Sequence, residues 1–381
     1  METRTASAGS SPGRIGIMSW AHFLNDGSAN YLPGILPAVL ISLHQPASMA
    51  GALMAALLIG QSLQPLMGWI ADRIGGRGMI ILGLAASSAG GALLGLAHHV
   101  AALVGLLMLI GLGNAMFHPQ ALSAVREAAR SRQGLALSIF LVGGELGRGI
   151  WPVLTSMLVV RWGLPSLVVL ALPAAVTLPW VVRRAPRQET RRQTGGRVEW
   201  PVVPALLLMG LAGVRSTVTY CLVTFIPLLW QFRGGSLVGG ASIVSTLIAL
   251  GIIGNLGGGH LMDRFGKSPV LLISTLLTAA LVPAVGYVPG YWIWVTAALA
   301  GITLFAGASP TISAGQEIFA ANPSLGSGIA LGLANGIGAV LVLVVGMFVN
   351  PGDIHPVFWL LGAVSLLSTL FLPPLSRYVA L

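Results

Sequence analysis

Four ionisable side chains fall inside strongly apolar runs: Asp26, Glu145, Arg148 and Arg215. A charge surrounded by hydrocarbon costs several kcal/mol unless it is paired or hydrated, so each is a candidate functional group. Asp26 follows Asn25, with His22 one helical turn back on the same face. A carboxylate kept from water favours taking up a proton, which suits exchange with a proton gradient; the other reading is a structural carboxylate bonded to a neighbouring helix. Glu145 and Arg148 stand three apart, so they can neutralise each other as a gating pair or meet a substrate. Arg215 has no acidic residue within a turn. It needs a carboxylate from elsewhere, Asp26 being one candidate, or an anionic ligand that suits its planar fork. His118 precedes Pro119, which leaves a backbone carbonyl without its helical donor; the ring either bonds that carbonyl or relays protons from a cavity wall. Trp20 and Trp151, close in sequence to these charges, are candidate cavity walls.

The elements that must position them are membrane helices. Charged residues are 8% of the 381-residue chain and hydrophobic residues 55%, against about 25% charged in soluble proteins. Apolar stretches near the length needed to cross a bilayer recur throughout. The pattern predicts twelve helices, at 15–42, 47–71, 78–97, 100–125, 133–160, 164–183, 201–230, 236–262, 269–287, 291–317, 326–350 and 355–376. Asp26 lies 12 residues past Arg14, Glu145 13 past Arg132 and Arg215 14 past Pro201. At 1.5 Å per residue each sits roughly 18–21 Å from its flank, which predicts one central polar site.

The net charge of +10 reports topology, not a nucleic-acid partner. Of the 20 Lys and Arg, only Arg161 and Arg233 fall in odd-numbered loops, and Arg148 and Arg215 inside helices; the other sixteen sit in the N-terminus, even-numbered loops or C-terminus. The positive-inside rule therefore predicts a multi-pass membrane protein with both termini in the cytoplasm, and the first helix is expected to be kept as a span. Cys221 is the single cysteine, so neither an intrachain disulfide nor a cysteine-based metal site can form. No linear zinc spacing, Walker loop or serine-nucleophile elbow occurs, and the chain is expected to need no cofactor or metal and not to be an enzyme.

One pattern occurs twice, 191 residues apart. Gly68-x-x-x-Asp72-Arg73-x-Gly75 ends the second apolar segment and Gly259-x-x-x-Asp263-Arg264-x-Gly266 the eighth. At the same offset Gly60 pairs with Gly251, Pro119 with Pro310, Gly147 with Gly338 and Pro165 with Pro356. This predicts two homologous six-helix bundles, 1–182 and 201–381, joined by an Arg-rich cytoplasmic linker at 183–200. The paired motifs read as a conformational latch: Gly68 for close helix contact, and Asp72, Arg73, Arg77, Asp263 and Arg264 for pairing at the membrane edge. Glu317 reads as a latch partner.

Twelve spans in two halves with an Asp-Arg motif after helices 2 and 8 resemble the major facilitator superfamily, and the Gly68–Gly75 segment followed by Arg77 is similar to its loop 2–3 signature. Within it, His22-Phe23-x-Asn25-Asp26, Gly113-x-x-x-Phe117-His118-Pro119, Gly143-Gly144-x-x-Gly147 before Pro152, and Arg215-Ser216 resemble the fosmidomycin-resistance type of drug-efflux permease. The chain departs from that group at Gln120, where a Glu is usual, and at Glu145, where an Asn is usual. The resemblance implies an all-α major facilitator fold and proton-coupled export of a small organic molecule by a monomer in the bilayer. The glycine run ending at Gly149 is similar to the antiporter signature of exporters. Uptake of an organic anion by Arg148 and Arg215 is the rival; an intramembrane enzyme or a sensor would need a constellation or domain that the sequence does not contain.

Overall fold

The computed structural model describes residues 12–129, 133–185, 201–320, 326 and 328–379, apart from the side chains at 72 and 133–135. Eleven helical segments among these are long and apolar enough to cross a membrane. The twelfth span, 12–42, falls short of that hydropathy because it carries His22, Asn25 and Asp26. The described residues thus form a multi-pass, nearly all-helical membrane protein. The lipid-facing surface is apolar, with Ile41, Leu82, Val160, Leu256, Ile273 and Val340 among its exposed side chains.

The first bundle contains α1 (Pro12–Ala29), α2 (Tyr31–Ser42), α3 (Met49–Ser62), α4 (Gln64–Ile74), α5 (Gly76–Leu93), α6 (Val100–Ala129), α7 (Gln133–Trp162) and α8 (Ala171–Arg184). The second contains α9 (Val202–Phe232), α10 (Leu237–Phe265), α11 (Lys267–Tyr287), α12 (Trp292–Ala306), α13 (Ala308–Ile318), α14 (Ala334–Gly346) and α15 (His355–Leu367). Three of the expected continuous spans are each two helices. The breaks fall at Asn30, Leu63 and Gly307, each two or three residues before a proline: Pro33, Pro65 and Pro310. Each proline removes the N–H that the carbonyl four residues back would have accepted, which ends the preceding helix. Pro119, Pro152 and Pro227 are instead carried inside continuous helices.

Within the first bundle α1 packs on α7, and α6 on α3 and α5; within the second α10 packs on α12 and α11 on α15. The bundles meet along α3 with α14 and along α7 with α10, with α2 also touching α9 and α10. The α1–α7 seam needs glycine. A methyl group on Gly143 would run into the Ser19 carbonyl and one on Gly147 into the Phe23 carbonyl, so these glycines bring two charged helices into backbone contact.

The duplicated motif closes α4 and α10. Gly75 and Gly266 cap these helices at φ 95° and 87°, a backbone that L side chains rarely adopt, so the last residue of each motif is a glycine for conformational reasons. Gly68 is not the close-contact glycine expected. A methyl group there would meet Pro119 at 3.7 Å, an ordinary contact, because α4 crosses α6 at a ring and not at backbone. Arg73 lies 3.2 Å over the Trp69 ring, Arg77 donates to the Val182 carbonyl, and Arg264 lies 5.1 Å from the Phe265 ring. Asp263 is exposed. The side chain of Asp72, Arg130, Arg132 and the linker from 186 onward fall outside the described residues. Among those described, the ion pair at this edge joins Lys267 to Glu317 at 2.5 Å and ties the start of α11 to the end of α13.

Candidate functional site

His22, Asp26, His118, Glu145, Arg148 and Arg215 all line one cavity of about 320 Å³ between the bundles. The common depth deduced from sequence spacing is therefore realised as a common chamber. Its walls come from α1, α3, α6 and α7 on one side and from α9, α10, α12, α13 and α14 on the other. Met54, Leu57, Leu141, Leu304 and Phe305 give it an apolar component.

Asp26 is held at the centre of a side-chain cluster. His118 Nε2 lies 2.9 Å from one carboxylate oxygen and His22 Nε2 3.3 Å from the other. The two Nε2 atoms are 3.1 Å apart. Asn25 donates to the Asp26 carboxylate at 3.3 Å and accepts from Ser87 at 2.8 Å, while Asn114 donates at 3.4 Å. Asn25 is wholly buried and does not reach the cavity; it braces Asp26 against α5. Pro119 leaves α6 unbroken, and His118 Nδ1 bonds the Asn114 carbonyl one turn earlier at 2.9 Å. His22 Nδ1 bonds the Phe140 carbonyl of α7 at 2.7 Å, and its ring stacks on Phe140 with centroids 4.1 Å apart. Space for the His22 ring comes from Gly144, where any Cβ would strike it.

His22, Asp26 and His118 could together hold a metal ion, their ligand atoms lying within 4.8 Å of one another. This differs from the expected absence of a metal-ligating set. The ligands come from α1 and α6, so no linear spacing reveals them.

Glu145 and Arg148 pair at 3.1 Å along α7, each about one-fifth exposed. The Arg148 guanidinium also lies 5.6 Å from the Phe305 ring of α12, so the pair sits where the bundles face each other. Arg215 and Asp26 form no ion pair. Arg215 instead donates to the Leu304 carbonyl, in the last turn before the break at Gly307, and its guanidinium lies where a Gly307 side chain would be. Helix-end carbonyls lack intrahelical donors, which explains what the cation does there. No carboxylate pairs with it among the described residues.

Neither tryptophan is a cavity wall. Trp20 is half-exposed on the outer surface, donates to Thr177 of α8 at 2.9 Å and stacks on Phe23 at 5.0 Å. Trp151 is buried over Gly27, between Phe23 and Tyr31. Sequence proximity misled here, because each indole leaves its helix on a face other than that of the nearby charge. Polar residues not singled out from sequence also line the cavity, among them Gln61, Asn114, Tyr220, Asn255 and Asn335. Tyr220 donates to Gln61 across the bundles at 3.4 Å, and Ser216 to Asn335 at 3.2 Å. Their signal was an amide or phenol mid-span, one turn from a charge in the case of Asn114.

The bundles close against each other at the end where α3 begins and α14 finishes, with Gly51 against Gly346. At the other end the cavity extends towards Gln64, Thr311 and Leu331.

The family model of the Major Facilitator Superfamily matches residues 18–330. The chain is 28% identical over 361 residues to an uncharacterized MFS-type transporter, YfnC, of Bacillus subtilis (strain 168), covering 89% of this chain and 87% of that one. It is 25% identical over 386 residues to the fosmidomycin resistance protein of Escherichia coli (strain K12), covering 97% and 95%. Among solved structures, the peptide transporter POT in complex with sulfate aligns at a TM-score of 0.79 and 16% identity, covering 96% of both chains. A D-xylose-proton symporter aligns at 0.78 and 14%, covering 97% and 98%. These structures share the fold with this chain.

Proposed function

We propose that this chain, which belongs to the Major Facilitator Superfamily, exports a small polar organic molecule in exchange for protons, by alternating access. The observation that carries the reading is a single cavity lined from both bundles, closed at one end and extended towards the other. A site between two rigid halves can face either side in turn without crossing the bilayer itself. The fosmidomycin resistance relative and the glycine run of α7 support export. Both termini, the duplicated motif and the extended end of the cavity then face the cytoplasm of a bacterial cell from its inner membrane, an orientation that the positive-inside pattern supports. The transporting unit is the monomer, with domains at 1–182 and 201–381.

We place the proton exchange at Glu145. It contacts the cavity and, among the described residues, pairs with Arg148 at the seam between bundles. Protonating it frees Arg148, so the same event changes the charge presented to substrate and the grip between halves. Asp26, by contrast, is enclosed by two histidines and two amides. Arg215, a cation with no acidic partner among the described residues, favours a second reading in which an organic anion is taken up. Flux in proteoliposomes decides between them. Export driven by an imposed pH gradient, lost in Glu145→Gln, is expected; uptake of an anion that ignores the gradient would overturn the first reading.

A further inference from the structure

The cluster of His22, Asp26 and His118 has a hydrogen-bond deficit. Both Nδ1 atoms face backbone carbonyls, Phe140 at 2.7 Å and Asn114 at 2.9 Å. A carbonyl only accepts, so both Nδ1 atoms carry hydrogen, and each neutral ring leaves its Nε2 as a bare lone pair. The two Nε2 atoms are 3.1 Å apart, and each lies 2.9–3.3 Å from an Asp26 oxygen. Acceptors at that spacing repel one another unless a cation sits among them.

We propose that His22, Asp26 and His118 bind a divalent transition-metal ion of the zinc class. Ligands at about 2.0–2.1 Å around a tetrahedral zinc stand roughly 3.3 Å apart. The two Nε2 atoms at 3.1 Å match that spacing, and each has its own Asp26 oxygen at 2.9 or 3.3 Å, so the carboxylate can close the set through either oxygen. The ligand types match as well, since imidazole and carboxylate suit zinc and its neighbours, whereas all-oxygen shells suit calcium or magnesium. Backbone carbonyls on both Nδ1 atoms fix tautomer and ring plane, which is the outer shell that metal-binding histidines require. Asn25 and Asn114 do the same for the carboxylate.

The fourth position faces the cavity. The His118 side chain is one-quarter exposed there, and Asp26 and His22 line the same chamber. Of the charged groups around it, Arg148 faces Asp26 and His118 but is paired with Glu145, so the two contribute little net charge; Tyr220 faces Asp26 from α9. An ion held here joins α1 to α6 inside one bundle and presents a Lewis-acidic position to whatever occupies the chamber. The site does not depend on Glu145 being the proton carrier.

The test is a titration of tag-free, full-length protein in detergent with Co²⁺ alone, followed by Zn²⁺. One Co²⁺ per chain, with the visible bands of a four- or five-coordinate ion that Zn²⁺ abolishes, is expected. His22→Ala and His118→Ala should each weaken binding at least tenfold, whereas His355→Ala, at the exposed Asp353 pair, should not. Should an alanine variant not fold, His118→Cys keeps a ligand and should add a thiolate charge-transfer band. Folded wild type that binds no Co²⁺, or binds it equally well without His118, overturns the proposal and leaves a shared proton as the cation.

Discussion

A methyl group added to Gly51 would stand 2.9 Å from the Cα of Gly346, and one added to Gly346 would stand 2.9 Å from the Cα of Gly51. The approach is reciprocal, and it joins α3 of one bundle to α14 of the other. At this point backbone meets backbone, so the closed end of the cavity is sealed by the absence of side chains.

Gly51→Val or Gly346→Val should therefore wedge that end open. The structure cannot relieve the clash by a rotamer change, since the obstacle is main chain. Substrate binding should persist, transport should fall by at least tenfold, and a cysteine placed at the buried, cavity-lining Met54 should gain reactivity towards a membrane-impermeant maleimide. Unchanged labelling with full flux would show that the seal lies elsewhere.

The duplicated motif separates its glycines by role. Gly75→Ala and Gly266→Ala force a side chain into a positive-φ backbone and should each cost about 1–3 kcal/mol. Gly68→Ala meets Pro119 at 3.7 Å and should leave stability within about 0.5 kcal/mol. Thermal unfolding of the three variants gives the order directly; an order with Gly68 worst would restore it as the contact glycine.

Hydropathy made the spans readable from sequence, and residue spacing from the cytoplasmic flanks the common depth of Asp26, Glu145 and Arg215. What escaped was set by direction and by long-range closure. The breaks at Asn30, Leu63 and Gly307 depend on which of many prolines ends a helix, and Pro119 and Pro227 show that a proline alone does not. Asp26 and Arg215 shared a depth without meeting, because Arg215 turns to the carbonyl at a helix end that only the fold creates. The approach of His22 to His118 crosses 96 residues, and Gly144, which makes room for it, looked like part of a motif rather than a cutout for a ring.

Topology follows from alternation: the loops at 75 and 266 must share one face if every span crosses. Cysteines at Gly78 and Phe265, introduced singly in a Cys221→Ala background, should be labelled from the same side, the cytoplasmic one. Cys221 itself is wholly buried and gives no background. Phe265 is more than half exposed and Gly78 has open space, so neither position should disturb packing. Labelling from opposite sides would break the two-bundle arrangement.

The pair on α7 gives the most direct test of coupling. Removing one member of a buried ion pair strands the other, at up to about 3–5 kcal/mol, and the partial exposure of Glu145 and Arg148 places them at the low end of that range. Glu145→Gln alone should destabilise the protein and end pH-gradient-driven flux. Glu145→Gln with Arg148→Gln should recover much of the stability, since neither charge is left alone, yet recover no coupling. Asp26→Asn paired with Arg215→Gln should show no such recovery, because those two side chains are not partners. Four stabilities and four fluxes distinguish the schemes. If Glu145→Gln keeps full proton-driven transport while Asp26→Asn loses it, the proton is carried on the first span and α7 supplies only the gate.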